Sequence, residues 1–247
     1  MTGHTQPSLR PLPLFVSTLG TAQLLGALFV VMAAASWIAA GYDLGELQVS
    51  SAMQKGLELD ARQRAAHSEA GRLLGWAQLG CAGVVATLFL PWLYHARVNV
   101  RALGARRLRY PREWAYLAFL VPGLNLIRPL QVLSEVWRAS APDTEHPLAW
   151  QGRPTPGLAW AWWGLLCAWP VLEASSALLL QHAADPARLQ LGHGLSLLGN
   201  ACAAGSATAA YFLVNRISGD QESKWRTYGD CALPETTLAH QAPELST

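Results

Sequence analysis

Charge is scarce in this sequence. Asp, Glu, Lys and Arg make up 14% of the 247 residues, against 51% for the hydrophobic types. The 18 basic and 16 acidic side chains nearly cancel, to a net charge of +2, which leaves no nucleic-acid footprint at the scale of the whole chain. Cysteine is scarcer still, at four residues. Cys81, Cys167 and Cys202 fall within hydrophobic runs and Cys231 stands alone near the C-terminus, without a CxxC or a His–Cys spacing of the kind that binds metal. They read as apolar fillers of helix interfaces, and no cofactor is implied. No P-loop, HExxH, nucleophile elbow or Ser-His-Asp order is present. Hydrolase and nucleotide-binding readings therefore have no residues to stand on, and a non-enzymatic role is expected. No repeat of solenoid period is visible, and the two halves do not mirror each other as in an inverted-repeat transporter.

What is abundant is apolar sequence gathered in long runs, not in the short-period stripes of a soluble fold. A helix that crosses a membrane needs about 20 apolar residues, and several runs reach that. The expectation is an all-α integral membrane protein, with a membrane domain over 13–217 and four transmembrane helices at about 14–40, 73–94, 158–182 and 191–214. A polar N-terminal tail, 1–12, precedes them. The first run exceeds the apolar core of a secretory signal peptide, about 7 to 15 residues, so it is expected to remain as an anchor. Trp37 and Tyr42 close the first run and Trp160, Trp162, Trp163 and Trp169 open the third, as interface belts do. Gly71, Gly75, Gly80 and Gly83 at the second run, and Gly194, Gly199, Ala203, Ala204, Gly205 and Ala207 in the fourth, offer small faces for close packing. Between the first two runs, 44–72 is polar with Met53, Leu57, Ala61 and Ala65 at i+4 spacing, which predicts an extramembrane helix. The end of the chain, 218–247, is polar without a clear period and is expected to be disordered.

The segment after the second run carries the most information. His95–Arg112 holds Arg97, Arg101, Arg106, Arg107, Arg109 and Arg112 and no acid, which marks a cytoplasmic loop. The stretch 111–140 follows, an apolar helix broken at Pro122-Gly123 and succeeded at once by Asn125, Arg128 and Pro129. Pro111 suits a first helical turn and Glu113 suits the dipole at a helix start. About ten residues at 1.5 Å each reach the break, roughly half of a hydrocarbon core. A break at that depth frees carbonyls and amides that lipid cannot satisfy, so it survives only where protein or trapped water supplies partners. The rival reading is a full crossing with a kink, which would move Arg138, Arg153, Arg216, Lys224 and Arg226 to the outside. A re-entrant or interfacial hairpin keeps them inside with both termini cytoplasmic, and the positive-inside rule favours it.

Past the break, Arg128, Gln131, Glu135 and Arg138 follow steps of three, four and three and share one helical face. Such a ribbon is either a solvated face, with Glu135 paired to Arg138 or Arg128, or the wall of a pocket in which Arg128 and Asn125, with Asn99 from the preceding helix, hold an anionic headgroup or ligand. Glu173 falls near the middle of the third run, where a carboxylate costs about 2.5–3.5 kcal/mol on insertion scales. Asn200 lies at similar depth on the next run, so the two are expected to share a hydrogen bond, as helix glue or as a proton or cation site. His182 and His193 flank the short turn between those runs, without the second pair that a metal or haem site would need.

The string from Leu90 to Ser140 resembles the signature block of a bacterial multi-pass membrane family described only as a domain of unknown function, DUF4328. The resemblance rests on Trp92, Tyr94, Ala96, Asn99, Gly104, Pro111, Pro122, Asn125, Arg128, Pro129, Gln131, Glu135 and Arg138, and departs from it at His95, where an Arg-like residue would be expected. It implies a membrane architecture and no activity. The functional expectation is an inner-membrane module that binds an anionic lipid headgroup, a small ligand or a partner membrane protein through the basic loop and broken helix. The alternative is a small transporter or channel subunit that uses Glu173, for which a homo-oligomer would be needed, since four spans rarely enclose a pore.

Overall fold

The computed structural model describes residues 14–56, 60–143, 147–181 and 185–228. The N-terminal tail 1–12, Cys231, His182 and the last nineteen residues of the predicted tail lie outside them. Every described element is helical. The order is α1 (Leu19–Gln54), α2 (Ala61–Ala102), α3 (Trp114–Leu120), a 3₁₀ turn (Leu124–Leu126), α4 (Arg128–Ser140), a second 3₁₀ turn (Ala149–Gly152), α5 (Gly157–Leu180) and α6 (Pro186–Tyr228). Four of these, α1, α2, α5 and α6, are long and apolar enough to cross a membrane.

Helix α6 is the spine, packing most extensively on α1 and α5. Its small residues make this possible. Ala203, Ala204 and Ala207 are buried, and a Cβ on Gly205 would lie 3.0 Å from Leu165 of α5. Gly194 has open space around it, and in α2 only Gly71 meets a close neighbour, the Tyr42 hydroxyl, while Gly75, Gly80 and Gly83 have none within 4 Å. The expected small-residue face on α2 is therefore a single contact, because much of that helix lies at the bundle's edge.

The extent of three helices differs from expectation. The stretch 44–72 is not a separate helix: α1 continues unbroken to Gln54, Gly56 stops it at φ 96°, and α2 starts after Asp60. Asp60 and Gln63 form a reciprocal capping box at 2.7 and 3.1 Å, a D-x-x-Q signature. Likewise the expected tail from 218 is helical as far as Tyr228. Val214, Ile217, Ser218, Gln221 and Lys224 recur at three- and four-residue steps and are all buried. Three of those five are polar, so hydropathy alone does not reveal the period.

The helix ends define two poles. At one, the start of α1, the end of α2, α3, α4, the start of α5 and the end of α6 converge. Asn99 holds the chain entering α1 as a strand neighbour would, accepting from Val16 N at 3.0 Å and donating to Val16 O at 2.7 Å, and it donates to Gln221 at 3.1 Å. Gln221 in turn donates to Ser140 of α4 and to the Ala96 carbonyl, both at 2.9 Å. At the other pole the ends of α1 and the start of α2 pair through Tyr42, which donates to the His67 carbonyl at 2.7 Å, and through Glu46 and His67 at 2.5 Å.

Candidate functional site

Helix α3 runs back along α2. Tyr116 lies against Tyr94, ring centroids 5.5 Å apart, and one turn later Phe119 lies against Phe89 at 6.0 Å and Trp163 of α5 at 6.1 Å. The chain then reverses between Val121 and Ile127. Gly123 makes the turn at φ 79°, ψ −43°, a conformation that L side chains avoid. Groups freed by the break find protein partners: Asn125 N–H donates to the Val121 carbonyl at 3.0 Å, Ile127 N–H to Leu124 at 3.1 Å, and the Trp163 indole N–H to the Leu126 carbonyl at 2.7 Å. Helix α4 returns to the pole from which α3 came, Arg128 meeting Tyr110 at one end and Ser140 meeting Gln221 at the other.

The polar ribbon on α4 is not a solvated face. Glu135 is 2% exposed, and its partner is neither Arg128 nor Arg138 but Arg97 of α2, itself 1% exposed, at 3.2 Å. Its other oxygen accepts from the Arg109 backbone N–H at 3.2 Å, and Arg97 also donates to the Tyr110 carbonyl. Burial pushes the Glu135 carboxyl above its ordinary range, against the opposing pull of the Arg97 guanidinium. The pair pins the basic loop to α4. Arg128 is equally occupied, with its guanidinium 5.4 Å from the ring centroids of both Tyr110 and Trp114 while it donates to the Tyr110 hydroxyl at 3.0 Å and to Gln131 at 3.1 Å.

These contacts leave a cavity of about 500 Å³ between the basic loop, α4 and the start of α5. Arg107, Arg109, Gln131, Glu135 and Arg138 contribute its polar wall; Leu126, Ile127, Leu130, Trp150, Trp160 and Trp163 contribute the apolar one. Arg107 stands in the left-handed region at φ 55°, rare outside glycine. Arg138 is steadied by a bond from Nε to the Ser134 carbonyl at 3.1 Å and by the Trp150 ring at 5.7 Å, and the Trp150 indole N–H holds the loop through the Arg106 carbonyl at 3.1 Å. The flanking loop is clipped by Arg153, whose guanidinium grips Asp143 at 2.5 and 3.1 Å and holds that carboxyl below the usual carboxylate range.

Of the residues singled out in the sequence, Gln131, Glu135 and Arg138 line this cavity, while Asn125 and Arg128 border it without lining it. Asn99 is apart from Arg128, buried against the start of α1 and the end of α6. Arg107 and Arg109 were visible only as members of a basic run, Trp160 and Trp163 only as part of an aromatic belt, and Trp150 was not singled out. Nothing in the spacing shows that they converge.

The family model for a "Domain of unknown function (DUF4328)" matches residues 55–219, more than half of the chain. The chain belongs to this family. The DUF4328 match takes in α2, the hairpin, every residue lining the cavity, and α5; α1 precedes it. No curated protein and no solved structure matches the chain.

Glu173 and Asn200 do not bond to each other. Each approaches Ser196 instead: Ser196 Oγ donates to Glu173 Oε2 and Asn200 Nδ2 to Ser196 Oγ, both at 3.4 Å. The partners of Asn200 are residues that sequence reasoning passed over, Asp43 of α1 at 2.9 Å and Gln78 of α2 at 2.7 Å. His193 also turns to Asp43, at 3.1 Å, and among the described residues no group of His, Cys, Asp and Glu is arranged to hold a metal.

Proposed function

We propose that this protein is a non-enzymatic, multi-pass module of the bacterial cytoplasmic membrane whose α3–α4 hairpin re-enters from the cytoplasmic side, and whose cavity binds an anionic lipid headgroup. The observation that carries the reading is the two-sided wall of the 500 Å³ cavity, three guanidinium groups facing an apolar surface of three indoles and Leu126, Ile127 and Leu130. Guanidinium forks match phosphate oxygens, and the indoles suit the depth at which headgroup gives way to acyl chain. Orientation follows from charge, since Arg97, Arg101, Arg106, Arg107, Arg109, Arg112, Arg138 and Arg153 share one pole. The re-entrant placement draws support from α3, whose seven residues end beside Phe89 and Trp163.

The test is lipid retention. Full-length protein purified in mild detergent should carry phosphatidylglycerol or cardiolipin, seen by native mass spectrometry, and Arg107→Gln/Arg109→Gln/Arg138→Gln should lower that occupancy by about tenfold or more, given about 1 kcal/mol per arginine near an anionic surface. Equal retention by the wild type and the triple variant, with both folded, would sink the reading.

A further inference from the structure

A second buried polar site lies toward the opposite pole, among helices that are otherwise apolar. Asp43 is 3% exposed, and α6 supplies a partner to each of its oxygens: His193 Nδ1 pairs with Oδ1 at 3.1 Å and Asn200 Nδ2 donates to Oδ2 at 2.9 Å. Gln78 donates to Asn200 Oδ1 at 2.7 Å and reaches Ser36 at 3.4 Å. Through Ser196 the chain of bonds extends to Glu173, so two carboxylates on α1 and α5 are joined by amide and hydroxyl side chains of α6. Glu173 packs against Gly199, where a Cβ would come within 2.7 Å of Oε1 and displace the carboxyl. That oxygen is buried without a partner, as is the indole N–H of Trp169 one turn earlier on α5.

We propose that this cluster is a proton-binding site, in which the His193–Asp43 pair and the Glu173 carboxyl take up and release protons and thereby set how α5 docks on α6. The inference rests on the bilayer placement proposed above, because in a bilayer a carboxylate must be paired, hydrated or neutral.

Charge makes the case. Among the described residues, the titratable groups that neighbour Asp43 and Glu173 include Tyr42 and Glu46 on α1, His67 on α2 and His193 on α6. His67 is taken by Glu46, the Tyr42 ring stands edge-on to His193 at 6.2 Å, and among the described residues no Lys or Arg bonds to a member of the cluster. With Asp43 and Glu173 both ionised, one protonated His193 leaves a net charge of −1. A proton on Glu173 removes it. A metal would need three or more converging ligands, and none of the described clusters offers them. The bond directions agree: Asn200 donates to Asp43 and, through Ser196, toward Glu173, so both carboxylates are acceptors ready for a proton. Since α5 packs on the bundle chiefly through α6, the Glu173 seat on Gly199 is where its charge state acts on packing.

Infrared difference spectroscopy on the full chain in lipid nanodiscs, stepped between about pH 5 and 8, tests this alongside ring nitrogen NMR of His193. A protonated-carboxyl band should appear at the acidic end, vanish in Glu173→Gln, and shift its midpoint in Ser196→Ala. In Asp43→Asn the His193 ring-nitrogen signals should move, because that ring loses its carboxylate partner. A wild type with neither a titrating carboxyl band nor a titrating His193 overturns the proposal, whatever the variants do. So does a band that persists in folded Glu173→Gln. The arginine triple variant should leave both signals intact, so loss of lipid and loss of proton binding are separate outcomes.

Discussion

Arg97 and Glu135 show how much a single side chain can hold. Both are almost fully buried, and the bond between them joins α2 to α4 across 38 residues of chain. Burying such a pair is costly, and removing one partner is costlier, since the remaining charge is left in a medium of low dielectric. Glu135→Ala should therefore destabilise the protein by about 3–5 kcal/mol, read as a lowered midpoint in thermal unfolding in detergent. The double change Arg97→Met/Glu135→Leu should recover most of that loss. A Glu135→Ala protein as stable as the wild type would mean that Arg97 is hydrated and the pair carries little. The sequence singled out Glu135 by its helical phase but assigned it near partners, because periodicity reports neighbours on one helix and is silent on residues brought together by folding. The same blindness hid Asp43, whose partner His193 lies 150 residues away.

At the scale of elements, the hairpin depends on one glycine. Gly123 has open space around it, so a methyl group meets no atom there, yet its φ of 79° disfavours any L side chain. Gly123→Ala should cost about 1–3 kcal/mol through backbone strain alone. Because the turn sets Leu126 and Ile127 into the cavity wall, lipid retention should fall with stability, measured by the same mass spectrometry. Retention unchanged in Gly123→Ala would separate the turn from the cavity. The break itself was legible in the sequence, for Pro122-Gly123 and Pro129 are local signals that act through their own dihedrals. The lengths of α1, α2 and α6 were not. Those helices run 36, 42 and 43 residues, past the apolar windows, because polar residues beyond each window still find buried partners in neighbouring helices.

The whole molecule is electrically lopsided. Arginines crowd the pole that holds the hairpin, while Asp43, Glu46, Asp60, Glu69 and Asp185 mark the other, alongside Lys55, Arg62, Arg72 and Arg188. Single cysteines at exposed Gln151, Ser223 and Gln48 give the orientation directly, in a background lacking the native cysteines. A membrane-impermeant maleimide applied to intact cells should label Gln48→Cys and spare Gln151→Cys and Ser223→Cys. Labelling of the latter two from outside would invert the topology and place the cavity on the wrong leaflet for the proposed headgroup. The poles also separate the two candidate sites, so lipid binding at one and proton binding at the other can be tested in a single protein preparation.

The sequence by itself determined the helical class, the four long apolar helices, the break and the family, because each rests on composition or on spacing within one segment. The tertiary structure alone decided which side chains meet. Hydropathy is a property of a run of residues, so it finds helices. A cavity wall, a buried ion pair or a carboxylate seated on a glycine is a property of distance between segments, and that is fixed only when α6 gathers the other helices around it.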